Sequence, residues 1–207
     1  MEKNNVKIKF GKLSTSEKEI KDILKAWTAI SLAFAILLSG SVFSEKFFSS
    51  IYPSFIIASI TVGLGFLLHE LGHKIVAQRY GCFAEFRSFD HMLMLAVAMS
   101  FFGFLFAAPG AVMISGRVTK ERNGKISAAG PIVNLILAAI FLSASMASFG
   151  IIKKISSYGF MINTWLALFN MIPALNFDGA KIFKWSKIVY GIIALIGIVF
   201  LLMPKKF

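Results

Sequence analysis

Along this chain, apolar blocks long enough to cross a bilayer alternate with short polar segments rich in lysine and arginine. A membrane-crossing helix takes about 20 residues. After a polar leader over residues 1–22, residues 23–43 (ILKAWTAISLAFAILLSGSVF) predict a first span. A loop ending at Tyr52-Pro53 leads to a second span over 55–79. Residues 126–150 (ISAAGPIVNLILAAIFLSASMASFG) predict another, 157–177 a weaker one broken by Pro173, and 187–203 the last.

The segment 80–125 does not fit this pattern. Its apolar run, 92–114, carries Gly103, Pro109 and Gly110, and its end (GAVMISGRV) reads as strand and turn rather than helix. Basic residues arbitrate between a full crossing and a dip that returns to the same side, because they concentrate on the cytoplasmic face. A dip puts 17 lysines and arginines on one face and 5 on the other, whereas a full crossing gives 14 against 8. The expected protein is therefore an all-α polytopic membrane protein. It has five to six transmembrane helices, a re-entrant, partly β segment at 92–114 and a cytoplasmic N-terminus. Residues 23–207 form one integral-membrane domain behind the leader.

Composition narrows the class further. The chain is 57% hydrophobic and only 15% charged, against roughly 25% charged in soluble domains. The net charge of +12 does not predict nucleic-acid binding. The basic residues lie in short loops between apolar blocks and form no stripe interleaved with aromatics. A single cysteine, Cys82, allows no internal disulfide and reads as a small apolar residue. No cleavable signal peptide is expected, since the first apolar run is too long for one.

Inside the second span stands His69-Glu70-Leu71-Gly72-His73, an H-E-x-x-H sequence. In a helix, residues four apart share one face, so two imidazoles can chelate one divalent ion. Glu70 borders that face without joining the ligands. Zinc makes water acidic enough to lose its proton near neutral pH. Glu70 is placed to take that proton and later pass it to a leaving amine. Packing alone is a poor explanation of the motif, because it leaves a carboxylate at membrane depth without a role.

Catalytic zinc usually takes three protein ligands and a water. His91, beside Asp90, is the only other histidine and reads as an interfacial polar residue. The better third ligand is Asp178, in NMIPALNFDGAK (170–181), where Asn170, Pro173 and Asp178-Gly179 mark a broken helix lining a wet cavity. The histidine pair lies roughly 5–15 Å inside the end of its span marked by Lys74 and Arg79, at 1.5 Å per residue. Asp178 can meet it only if the end of 157–177 is on the same face. The dip at 92–114 delivers this, while a full crossing would leave Asp178 about 30 Å away.

H-E-L-G-H in one span, A-G-P-I-V-N (129–134) opening another, and N-x-x-P-x-x-x-x-D-G (170–179) together resemble the site-2 protease family of intramembrane zinc metalloproteases. The motifs stand in family order across residues 55–180, the expected catalytic core. The resemblance implies a three-helix core with His69, His73 and Asp178 as zinc ligands and Glu70 as catalytic base. It implies that Asn170 helps hold the substrate or the developing oxyanion, and that a membrane-associated sheet follows the H-E-x-x-H helix. The chain has no room for the PDZ or CBS domain that many members carry. Residues 92–108 look like an insertion, and Gly130-Pro131 and Asn134 like close helix packing. The expected function is cleavage of transmembrane or membrane-proximal segments of other proteins. The partners are those substrates and the lipid bilayer, and the active site lies towards the cytoplasm. Two alternatives are an inactive membrane-protein-binding relative, which would not need Glu70, and a metal or proton transporter. A transporter would be expected to show paired repeats or a polar path to both faces.

Overall fold

A computed structural model describes residues 7–10, 13–105 and 109–203. A hairpin of β1 (Lys7–Phe10) and β2 (Leu13–Ser16) leads into α1 (Glu17–Ser39). Helix α2 (Phe47–Ala58), a π-helical turn (Ser59–Gly63) and α3 (Leu64–Arg79) run on as one 33-residue rod. Then come β3 (Phe83–Ser88), α4 (Asp90–Ser100), β4 (Gly110–Ser115), α5 (Lys120–Ala147), α6 (Gly150–Asn170), α7 (Asp178–Trp185) and α8 (Lys187–Leu202).

Several helices begin before the apolar residues that predict them. The Ser16 hydroxyl accepts the Glu19 N–H and caps α1. Thr119 does the same for α5 by accepting from Arg122. A capping hydroxyl sets where helical hydrogen bonding starts, whatever the hydropathy of the first turns. The π turn is bonded from two other helices. Trp27 Nε1 of α1 donates to the Ser59 carbonyl at 3.2 Å, and Asn163 Nδ2 of α6 to that of Thr61 at 3.5 Å.

Among the described residues, three helices are long and apolar enough to cross a membrane: α1, the α2–α3 rod and α5. Helices α4 and α8 are apolar but shorter. Small residues fill the interior, with Ala26, Ala33, Ala58, Ala77 and Ala138 fully buried, while Ile136, Ile140, Trp165 and Leu195 are exposed. Small side chains let helices approach closely, and large apolar ones turned outward suit a lipid surround.

The apolar run at 92–114 is not one helix. It divides into α4, a turn over 101–103 and strand β4. Strands β3 and β4 pair antiparallel, Ser88 opposite Gly110 and Phe86 opposite Val112, and the Phe89 N–H reaches the Pro109 carbonyl at 3.1 Å. The excursion that includes α4 thus leaves and returns at one point. Its base is held to α1 by Lys25, which pairs with Asp90 at 2.6 Å.

Candidate metal centre

His69 and His73 stand one turn apart on α3, both buried, on the side facing α5. Two glycines let α5 come this close. A Cβ on Gly72 would meet Val133 and the Ala129 carbonyl at 3.1 and 3.3 Å, and one on Gly130 would stand 2.5 Å from the Nε2 atoms of both histidines.

Asp178 arrives from the break between α6 and α7. Helix α6 ends at Asn170, the chain turns through Met171–Phe177 with Leu175 in the left-handed region at φ 50°, and Asp178 opens α7. Gly179 packs so tightly on the Met171 backbone that any side chain there would overlap it. The turn therefore swings Asp178 back under α3. Its Oδ2 lies 3.0 Å from His73 Nε2 and 3.4 Å from His69 Nε2, and the two Nε2 atoms are 3.0 Å apart. Its Oδ1 faces Lys181 Nζ at 3.5 Å.

These separations fit a metal. Ligands about 2.0–2.1 Å from a tetrahedral zinc stand about 3.3 Å from one another. The protonation pattern points the same way. His73 Nδ1 lies 2.8 Å from the Ile126 carbonyl, which can only accept, so Nδ1 carries a hydrogen and Nε2 is the nitrogen a metal would take from the neutral ring. His69 Nδ1 faces Asn134 Oδ1 at 2.6 Å, with the same consequence. Two imidazole Nε2 atoms and a carboxylate oxygen then converge in a buried space, and with both rings neutral they turn three lone pairs towards one point, as a cation requires. Among the described residues, His69, His73 and Asp178 are the group that could hold a metal ion. His91, the other candidate ligand, is exposed on α4.

Glu70 points to a neighbouring face. It is half-buried and lines a small cleft with Ile23, Phe66, Leu67, Leu71, Lys74 and Phe86. The Val112 backbone of β4 lies near its carboxylate. The Phe86 N–H across the hairpin points away from β4, to Glu19 at 2.9 Å. Phe86 and Val112 are thus a non-hydrogen-bonded pair whose N–H groups face outward, and the outer edge of β4 runs beside Glu70. Asn170 is half-buried, and its amide donates to the Leu166 carbonyl of its own helix at 2.9 Å. A different asparagine, Asn134, reaches a histidine. Its place in A-G-P-I-V-N reads as packing, although a fully buried amide four residues past a glycine that touches both imidazoles is a sign of more.

A histidine pair on one helix and a carboxylate from a broken one, with a glutamate beside them, make a group that could hold a metal ion. Over 170 residues, 80% of this chain and 88% of the relative, the sequence is 41% identical to a protein of Methanocaldococcus jannaschii named "Putative zinc metalloprotease MJ0611". A second protein of that organism, "Zinc metalloprotease MJ0392", is 28% identical over 158 residues, 74% of this chain and 39% of the relative. The chain thus spans most of the first and about two fifths of the second. No family model and no solved structure matches. By its likeness to the first relative, this chain belongs to that zinc metalloprotease family.

Proposed function

We propose that this protein is an intramembrane zinc metalloprotease of the site-2 type, hydrolysing peptide bonds in transmembrane or membrane-proximal segments of other proteins. The observation that carries the reading is the convergence of His69, His73 and Asp178, with Glu70 alongside, in a bundle that includes three helices of membrane-crossing length and composition. His69 Nε2, His73 Nε2 and Asp178 Oδ2 would hold the zinc. When bound, zinc supplies a Lewis acid that makes water easier to deprotonate and polarises a carbonyl.

The rest belongs to the chain. Glu70 takes a proton from the attacking water and returns it to the leaving nitrogen. A substrate helix hides its carbonyls in its own hydrogen bonds and must unwind before attack. The edge of β4 that no described strand pairs lies beside Glu70, and an unwound segment laid along it gains backbone hydrogen bonds by strand addition. Asn170 serves the bound substrate after its amide leaves the Leu166 carbonyl. The excursion closed at Phe89 and Pro109 supports a segment that dips into the membrane and returns, with five full spans around it. The distribution of basic residues supports a cytoplasmic N-terminus and a site near the cytoplasmic face. Residues 23–207 then form one catalytic membrane domain.

Glu70→Gln tests the mechanism. In purified protein reconstituted with a membrane-anchored substrate, this variant should keep its fold and zinc content by elemental analysis. Cleavage should fall roughly 10²–10⁴-fold, the usual range for a lost general base. Cleavage near the wild-type rate would overturn the proposal.

A further inference from the structure

The orientation of His69 is set two side chains away, on α6. Asn163 donates through Nδ2 to the Gly159 carbonyl at 2.9 Å and to that of Thr61, in the π turn, at 3.5 Å. Carbonyls only accept, so this amide cannot flip, and its Oδ1 is turned to Asn134. Asn134 donates through Nδ2 to Asn163 Oδ1 at 3.0 Å and to the Gly65 carbonyl at 3.1 Å. Its own Oδ1 is then the atom 2.6 Å from His69 Nδ1. Both asparagines are 0% exposed. A Cβ on Gly65 would overlap Asn163 Oδ1, so this glycine leaves the space in which the amides meet.

We infer that Asn134 and Asn163 form a directional relay that holds the proton of His69 on Nδ1, keeps Nε2 free for the metal and so sets the affinity of the site. Both are positioning residues, and Asn163 acts without touching a ligand. The inference rests on the metal-site reading above. Its physical basis is that each donor is forced by a carbonyl that can only accept, beginning at Gly159 and Thr61. With an apolar residue at 134, nothing holds the proton on Nδ1. The tautomer with hydrogen on Nε2 then competes and must be displaced whenever metal binds. Groups that fix a ligating histidine in this way typically account for 10–100-fold in metal affinity. His73 is an internal control, since its Nδ1 is held independently by the Ile126 carbonyl.

The test uses the full-length protein in nanodiscs, labelled with ¹⁵N-histidine, before and after removal of metal. Zinc Kd is measured by chelator competition. In the metal-free wild type, at a pH high enough for both rings to be neutral, His69 and His73 should carry their proton on Nδ1. In Asn134→Leu, the His69 signal should shift towards the Nε2-protonated form, zinc Kd should rise 10–100-fold and His73 should be unchanged. Asn163→Leu should move both readouts the same way by less, about three- to tenfold in Kd, because Asn134 keeps its bond to Gly65. Asn134→Asp preserves an acceptor and should keep the tautomer. Should Asn134→Leu fail to fold, Asn163→Leu carries the test alone. An unchanged His69 tautomer with wild-type zinc affinity in a folded Leu variant would overturn the relay. Wild-type protein that binds no zinc would overturn the metal site instead, while the tautomer readout still judges the relay.

Discussion

Two buried polar clusters meet on α3 at adjacent residues, and they are built on opposite principles. Around Lys74, every charge is answered. The Lys74 ammonium pairs with Glu19 at 2.6 Å, and Glu19 also accepts from the Thr15 hydroxyl at 2.7 Å and the Phe86 N–H at 2.9 Å. Around His73, three atoms of metal-ligating type crowd one point: two imidazole Nε2 atoms and one oxygen of Asp178. Burying polar groups is tolerable when they are paired and costly when they are not. The closed cluster therefore reads as structure, clamping α1, α3 and β3 together. The open one reads as a place for something the chain does not itself supply.

The largest effect should come from opening the second cluster further. Asp178→Ala removes one of three ligands and leaves two imidazoles, so zinc content should fall to near background and proteolysis with it. His91→Ala should leave both unchanged. Elemental analysis of the two variants beside wild type decides this, and zinc retained by Asp178→Ala but lost from His91→Ala would reverse the ligand assignment.

Opening the closed cluster should break something else. Glu19→Ala leaves the Lys74 ammonium buried without its partner, and breaking a buried pair in this way costs about 3–5 kcal/mol. The apparent Tm should drop, while protein that remains folded should still bind zinc. Replacing both partners, Glu19→Leu with Lys74→Met, should recover most of the loss, because no charge is then stranded. If the double variant is as unstable as the single one, the cluster does more than neutralise Lys74.

What could be read from the sequence divides along the same line. The H-E-x-x-H pair was legible because its geometry is local, four residues on one helix. Asp178 was legible because a topological argument required the two segment ends to share a face, and the structure brings it to the histidines. In the sequence, Lys74 is only a basic residue marking the end of a span. It is buried, because its partner Glu19 lies on another helix at a distance in sequence that no periodicity reveals. The role of Asn134 was hidden for the same reason, since Gly65, His69 and Asn163 meet it only after α3, α5 and α6 pack. The π turn at Ser59–Gly63 has no hydropathy signature at all. Span boundaries were displaced because hydropathy marks where apolar residues begin, whereas Ser16 and Thr119 mark where helices begin.

Asn170 offers the finest comparison, because it belongs to neither cluster. It contributes no ligand atom to the histidine and aspartate group, so Asn170→Ala should retain zinc at wild-type content. Its only described hydrogen bond runs from Nδ2 back to Leu166, so stability should change little. A donor already aimed at an oxyanion is worth about 10²–10³ in rate. This amide has first to leave the Leu166 carbonyl, which offsets part of what it gains at the substrate, and the expected loss in kcat is correspondingly smaller, about tenfold. Rates and zinc content measured on the same preparation make the decision. Lost zinc would place Asn170 among the groups that hold the metal, and a wild-type rate with full zinc would remove it from the reaction, leaving Glu70 and the edge of β4 to handle the substrate.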